Sequence, residues 1–523
     1  MKRAFTFAGK TRPRMAMSMT EADDGTIWSA SYPDSGLVSF NPKTREFKDH
    51  GTLNKENWLQ YPRSVAVDDA GWVYVGIGST AGQIIIFDPR SEKARALFAP
   101  PERTQGYASV YRDVDGSVYG HLAGATDSWH VFRGGAVRKI GAHARSNPKR
   151  IIASSQGLFH QQFPSGRRAT VCDTIERVLE VEDPNTRERK RVRFDYTSEG
   201  AHLMGIATSP DGTVCGGTAF PMRFFSYDPR RDRWINRPAY GQFNTVARQG
   251  DRVFFGGYTH GFLLEWDPSR AWIDSDRDKA DSNPLHLTEC APAINRPHHL
   301  LAHPDGKMVV LAGTPGYGYT GGGLLLWDRE TKTRRLLEHS DLIPDQSTMS
   351  MVALPAGKLL GGTTTSPGTG GEKKAAQAEL YLLDLPTGKV EWHAAVFPGA
   401  QTYTAMYTGS GGLVFGFVDR SRFFVFDPVR RTVVHQENAG ARFGPCVSQQ
   451  GPRVFVSGPG DTLYAIFTKG IASVDRRTFE IQMRAESPVS INAGGDYLDG
   501  RIYFGSGSHV YSWRLPVEQN RPQ

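Results

Sequence analysis

One pattern recurs from end to end of this chain. A short apolar segment leads to an Asp-Gly-type turn and an aromatic strand; after a loop comes a second apolar strand closing in Asp-Pro, then a charged strand. It is plain in DGTIWSASYPDSGLVSFNPKTREFKDHG from Asp24 and in AGWVYVGIGSTAGQIIIFDPRSEKARALF from Ala70. It returns at DGSVYGHLAG, QGLFHQQFPSG, DGTVCGGTAF, GDRVFFGGYTHGFLLEWDP, DGKMVVLAGTP, AGKLLGGTT, GGLVFGFVDRSRFFVFDP, PGDTLYAIFTKGIASVD and DGRIYFGSGSHVYSWRLP. About eleven units follow one another at a spacing of about 41 to 55 residues.

Apolar and polar residues alternate in short runs bounded by DG, GG and DP, which is the signature of half-buried antiparallel strands. A four-stranded sheet of this kind does not bury both faces alone, so successive sheets must pack face to face around an axis. The expectation is an all-β chain, a β-propeller of about eleven four-stranded blade-like units over residues 1–516 with a tail at 517–523. The last unit ends after its third strand at Trp513 to Pro516, and the N-terminal KRAFTFAG is an orphan strand able to complete it. That complementarity favours a single closed ring; two propellers in tandem, or fewer blades with elaborated loops, are the alternatives. The 57 Gly and 32 Pro exclude a coiled coil, because helix breakers would interrupt any heptad run.

No stretch approaches the roughly 20 apolar residues of a membrane helix, and MKRAFTFAGKTRPRMAMS has positive charge without an apolar core. Cys172, Cys215, Cys290 and Cys446 are far apart with no CxxC pair, as in a reduced compartment. The location expected is cytoplasmic, the alternative being a protein supplied without its signal. A net charge of +8, spread along the chain, suits an anionic ligand. The basic run RERKRVR at 187–193 reads as the solvated edge of an outer strand, so neither nucleic acid nor membrane is an expected partner. The stretch from Gly316 to Gly321 matches GxGxxG but leads into the strand GLLLWD, where no helix N-terminus waits for a pyrophosphate; no nucleotide cofactor is expected.

Repetition separates scaffold from site. Asp88, Asp228, Asp267 and Asp427, each followed by Pro, and the DG turns at Asp24, Asp115, Asp211, Asp305 and Asp499 recur at fixed points and serve the fold. What stands out is found at the entry to the first strand of each unit and in the loop between its second and third strands. Those positions give Tyr32, Tyr61, Arg63, Tyr107, His121, Trp129, Lys149, Arg150, His202, Arg223, Tyr258 and His260, then Arg296, His298, His299, Tyr317, Tyr319, Tyr403 and Arg420. A face rich in His, Tyr and Arg and nearly free of acids fits β-elimination on a uronic acid: a cation neutralises the carboxylate, a His or Tyr takes the C5 proton, and a Tyr or His protonates the departing oxygen. In that assignment His202, His260, His298, Tyr258, Tyr317 and Arg223 are catalytic. Tyr61, Arg63, His121, Trp129, Arg150, Arg296, Tyr319, Tyr403 and Arg420 hold an anionic oligosaccharide or polysaccharide.

The phrases DGTIWSASYPDSGLVSFNP, YPRSVAVDDAGWVYVGIG and HHLLAHPDGKMVVLAGTPGYGYTGGGLLLWD resemble carbohydrate-active propellers. The resemblance is to polysaccharide lyases of the oligogalacturonate, ulvan and rhamnose-glucuronate types, and to virginiamycin B lyase in repeat grammar. It implies eliminative cleavage and, in the oligogalacturonate type, a divalent ion such as Mn²⁺ or Ca²⁺ held by histidines, for which His202, His260, His298 and His299 are the candidates here. Two other functions compete: a gluconolactonase-like metalloenzyme, for which Asp127, Glu199 and Asn244 are the available ligands, and a non-catalytic binding propeller.

Overall fold

The computed structural model describes residues 15–516, apart from 57, 150–155, 158–164, 174–175, 196–199, 410, 449–450 and 452. KRAFTFAG and Arg150 therefore lie outside the described residues, as does most of QGLFHQQFPSG. The chain is all-β, with antiparallel sheets in sequence order and one short α-helix, Ala439–Phe443, among the described residues. No helix is long and apolar enough to cross a membrane among those residues.

The repeat grammar favours one array over 1–516, but the residues gather into two compact units. The first is 1–197 with the short segments 317–319 and 369–372; the second is 198–316, 320–368 and 373–523. In the first, strands Met15–Glu21, Ile27–Tyr32, Gly36–Phe40 and Phe47–Thr52 form one meander, extended by Gln156–Gly157. Two further four-stranded meanders, over 61–96 and 106–141, merge into one eight-stranded sheet where Gly78 pairs with Tyr107. A three-stranded sheet over 168–193 follows, with Val178 alone fully buried and its outer strand Arg189–Arg193 exposed throughout. This is the basic run, and Arg189 is paired there with Glu182 at 2.9 Å.

The second unit holds six four-stranded sheets and a last one of three strands. Their first strands are His202–Thr208, Gln242–Gln249, Arg296–Ala302, Ser347–Leu354, Tyr403–Thr408, Phe455–Ser457 and Ala493–Leu498. Each packs beside the next, and the last packs beside the first. At that seam the Asp496 carboxylate accepts from the Thr208 N–H and hydroxyl, both at 2.8 Å, and Leu203 and Ile206 share a core with Ala493 and Tyr503.

The turn aspartates act as the repeats suggest. Asp88, Asp228, Asp267 and Asp427 accept from the backbone N–H two residues on, at 2.9 to 3.0 Å, which fixes the tight turn after the third strand. The cores lie between adjacent sheets, where Leu360, Leu380 and Leu382 meet Met406, Val414 and Phe424. Glycine in second strands makes room for neighbouring rings: a Cβ on Gly361 would stand 2.2 Å from the Tyr381 ring, itself fully buried with its hydroxyl bonded to Thr348 at 2.6 Å. Gly361→Ala is therefore expected to destabilise the protein by about 1–3 kcal/mol through overpacking. Guanidinium denaturation checks this, and an unchanged midpoint would contradict it.

Candidate functional site

In the second unit the strands Arg252–Tyr258 and Phe262–Trp266 are joined by a tight turn in which His260 (φ 67°) and Gly261 (φ 58°) are both left-handed. A non-glycine residue there costs about 1–2 kcal/mol, and the next segment of chain holds it in place. The His260 N–H donates to Asn295 Oδ1 at 2.9 Å, and its carbonyl accepts from Cys290 and Ala291 at 2.9 and 3.0 Å. Gly261 allows the close approach, since a Cβ would lie 2.2 Å from the Ile294 carbonyl. With its backbone clamped, His260 shows its imidazole to solvent.

Arg296 follows Asn295 and opens the next first strand. Its guanidinium sits 4.9 Å from the centre of the Tyr258 ring. Tyr258 is buried, with its N–H 3.2 Å from Asn244 Oδ1. Tyr258 and His260 thus stand on one sheet and Arg296 on the next, with the guanidinium against the phenol ring.

A related turn joins the strands Val414–Val418 and Arg422–Asp427, where Asp419 and Arg420 are left-handed. The Arg420 carbonyl accepts from the Cys446 N–H at 2.8 Å and its Nε donates to the Cys446 carbonyl at 3.0 Å. Arg223 opens the strand Arg223–Asp228 with Nε on Asn236 Oδ1 at 2.8 Å, and His202 is exposed at the start of its strand.

The first unit gathers a second set. The exposed Arg63 guanidinium lies 4.8 Å from the Tyr317 ring centre, 5.1 Å from Tyr61 and 5.9 Å from Tyr107. Tyr32 packs on Tyr61 with ring centres 4.6 Å apart, and Tyr319 is exposed. His121 stacks on Trp129 at 4.1 Å.

Deeper in the second unit stands a group that the sequence does not single out. Arg453 is 5% exposed and donates to the carbonyls of His298, Met349 (3.0 Å) and Thr404 (2.6 Å), one from each of three first strands. Burial pushes its guanidinium down to about 10, still charged at neutral pH. Burial first, then the Arg453 and Arg296 charges, hold His298 down to about 3; burial and Arg453 do the same to His299. His299 Nδ1 accepts the Met351 N–H at 3.0 Å, while His298 Nδ1 is buried without a hydrogen-bond partner. The available signal was an arginine inside the apolar run GPRVFVSG.

Three expectations change with these placements. Tyr403, assigned to substrate, is fully buried between Phe397 and Phe424 because both faces of its strand are covered. His298, assigned as a base, is a half-buried imidazole with an enclosed Nδ1, and it binds protons too weakly for the task at neutral pH. Among the described residues no group of three or more His, Cys, Asp or Glu is placed to hold a metal ion. Of the lactonase ligands, Asn244 is buried and holds Tyr258, Asp127 pairs with Lys139 at 2.7 Å, and Glu199 lies outside the described residues.

No family model matches the chain. No curated protein matches it either. Among solved structures it is similar to the extracellular domain of a putative one-component system from B. thetaiotaomicron, at 11% identity and a TM-score of 0.43. The likeness covers 98% of this chain and 66% of that one, so the chain spans just under two thirds of the neighbour's length.

Proposed function

We propose that the second unit is a seven-bladed propeller that cleaves a uronate-containing glycan by β-elimination. The ring is supported by the contact of the first strand of the last sheet with that of the first, and by the Asp496–Thr208 bonds across that seam. The activity is carried by one observation: Arg296 lies against Tyr258, and His260 is fixed two residues further on by Asn295.

In this reading Arg296 pairs with the uronate carboxylate and lowers the cost of charge building at C5. His260 removes the C5 proton. The C5–H electrons become the C4=C5 double bond as the C4–O bond breaks, and the Tyr258 hydroxyl gives its proton to the departing oxygen. Atoms balance without an oxidant, and the proton on His260 returns to Tyr258 through solvent. A second reading, recognition without turnover, is favoured by Arg63 in the first unit, where an exposed guanidinium framed by three tyrosines suits an anionic sugar.

The test is ultraviolet absorbance of the conjugated C4=C5 product while the full chain is incubated with a panel of uronate polysaccharides and oligosaccharides, with and without EDTA. A rise with one substrate is the expected result. A flat trace across the panel from folded protein overturns the lyase reading and leaves glycan recognition, measured by affinity for the same panel.

A further inference from the structure

The second unit contains a cavity of about 510 Å³ lined by the later halves of the strands Arg296–Ala302, Ser347–Leu354 and Tyr403–Thr408. Its volume falls in the range of small-molecule sites, about 300–1,000 Å³. Met351, Met406, Tyr407 and Phe455 give apolar wall, and His299, Arg453, Ser350 and Thr408 give the polar part. Arg296, at the start of its strand, is three residues from the nearest lining residue of that strand, His299, roughly 10 Å at the rise of a β-strand. The cavity is therefore separate from the elimination site and does not rest on that reading.

The charge balance says what it takes. An arginine has five N–H donors, and three carbonyls satisfy part of that set; Nε has no partner. Carbonyls satisfy hydrogens but carry no net charge, and no acidic side chain among the described residues is ion-paired with Arg453. A buried, unneutralised cation is costly. His299 accepts through Nδ1, so its neutral ring carries the proton on Nε2, another donor. Behind Tyr407, Arg476 donates to the hydroxyl at 2.9 Å and stacks over the ring at 5.3 Å. Donors and net positive charge thus meet apolar walls.

We propose that this cavity is a binding site for a small organic monocarboxylate, its carboxylate set toward Arg453 and His299 and its apolar body against Met351, Met406 and Phe455.

The test is isothermal titration calorimetry of the full chain with straight-chain and aromatic monocarboxylates, octanoate and phenylacetate among them, each beside its uncharged amide and beside inorganic phosphate. At least one carboxylate is expected to bind at least tenfold more tightly than its amide and than phosphate. Because Arg453 also ties three strands, the deciding variant is Ala353→Phe, which keeps Arg453 and fills the cavity from a lining position. It is expected to abolish the binding while melting as the parent does. Amides binding as well as acids, phosphate binding best, no carboxylate of the series binding, or binding that survives Ala353→Phe would each overturn the proposal.

Discussion

Replacing His260 by asparagine is expected to lower the rate of uronate elimination by two to four orders of magnitude, the usual worth of a positioned general base (~10²–10⁴-fold). Asparagine tolerates the left-handed backbone at this position better than alanine, so the turn survives while the proton acceptor is lost. The imidazole is exposed and packs no core, and the melting temperature should stay within a degree or so of the parent. Tyr258→Phe should lower kcat by a similar factor with little change in KM, since it removes a proton donor and leaves the ring under Arg296. Arg296→Leu should depress kcat and raise KM together, because the carboxylate contact exists before the transition state and strengthens in it. Steady-state rates from product absorbance decide the matter: a His260→Asn enzyme as fast as the parent would place the base elsewhere.

Mild acid should weaken the second unit well before its carboxylates titrate. His298 and His299 have folded pKa values of about 3, far below the ordinary imidazole value. Between about pH 6.5 and 3 the unfolded chain binds two protons that the folded chain refuses, so stability is full above pH 6.5 and falls as pH drops. The slope is about 1.4 kcal/mol per pH unit for each histidine, or roughly 4 kcal/mol for the pair between pH 6.5 and 5. His286, which burial also holds below its usual value, adds in the same direction. Against a typical total of about 5–15 kcal/mol that is a large loss. The aspartates with depressed values, such as Asp267 and Asp384, lose their contributions only at still lower pH. Denaturant midpoints at pH 7 and 5 should therefore differ strongly in the parent and much less in a His298→Gln, His299→Gln double variant. Equal midpoints in the parent would mean that these imidazoles are protonated in the folded state.

Much of the scaffold is legible in the sequence because its turns use side chains. Asp88, Asp228, Asp267 and Asp427 bind the backbone two residues on, and such residues recur wherever the geometry does. The placing of Tyr258 and His260 on one sheet and Arg296 on the next is legible for the same reason, since the loop after a second strand lies beside the entry to the next unit. Tyr403 misleads because a first strand is covered on both faces, which erases the alternation that tells inside from outside. Arg453 leaves almost no trace: its acceptors are carbonyls, which every residue owns, so nothing in His298, Met349 or Thr404 announces the partnership. The division into two units is equally faint. It coincides with a sheet whose strands still alternate but bury little, at 168–193.

The turns at His260 and Arg420 share one economy. In each the following loop grips the peptide groups, through Cys290 and Ala291 in one case and Cys446 in the other. Arg420 also returns its side chain to that loop; His260 leaves its imidazole unclaimed by the grip. The 260 position thus works as a socket whose hold is indifferent to what is plugged into it. Any residue content with a left-handed backbone would be displayed at the same edge, and a lineage could exchange its reactive group there without renegotiating the strands beneath.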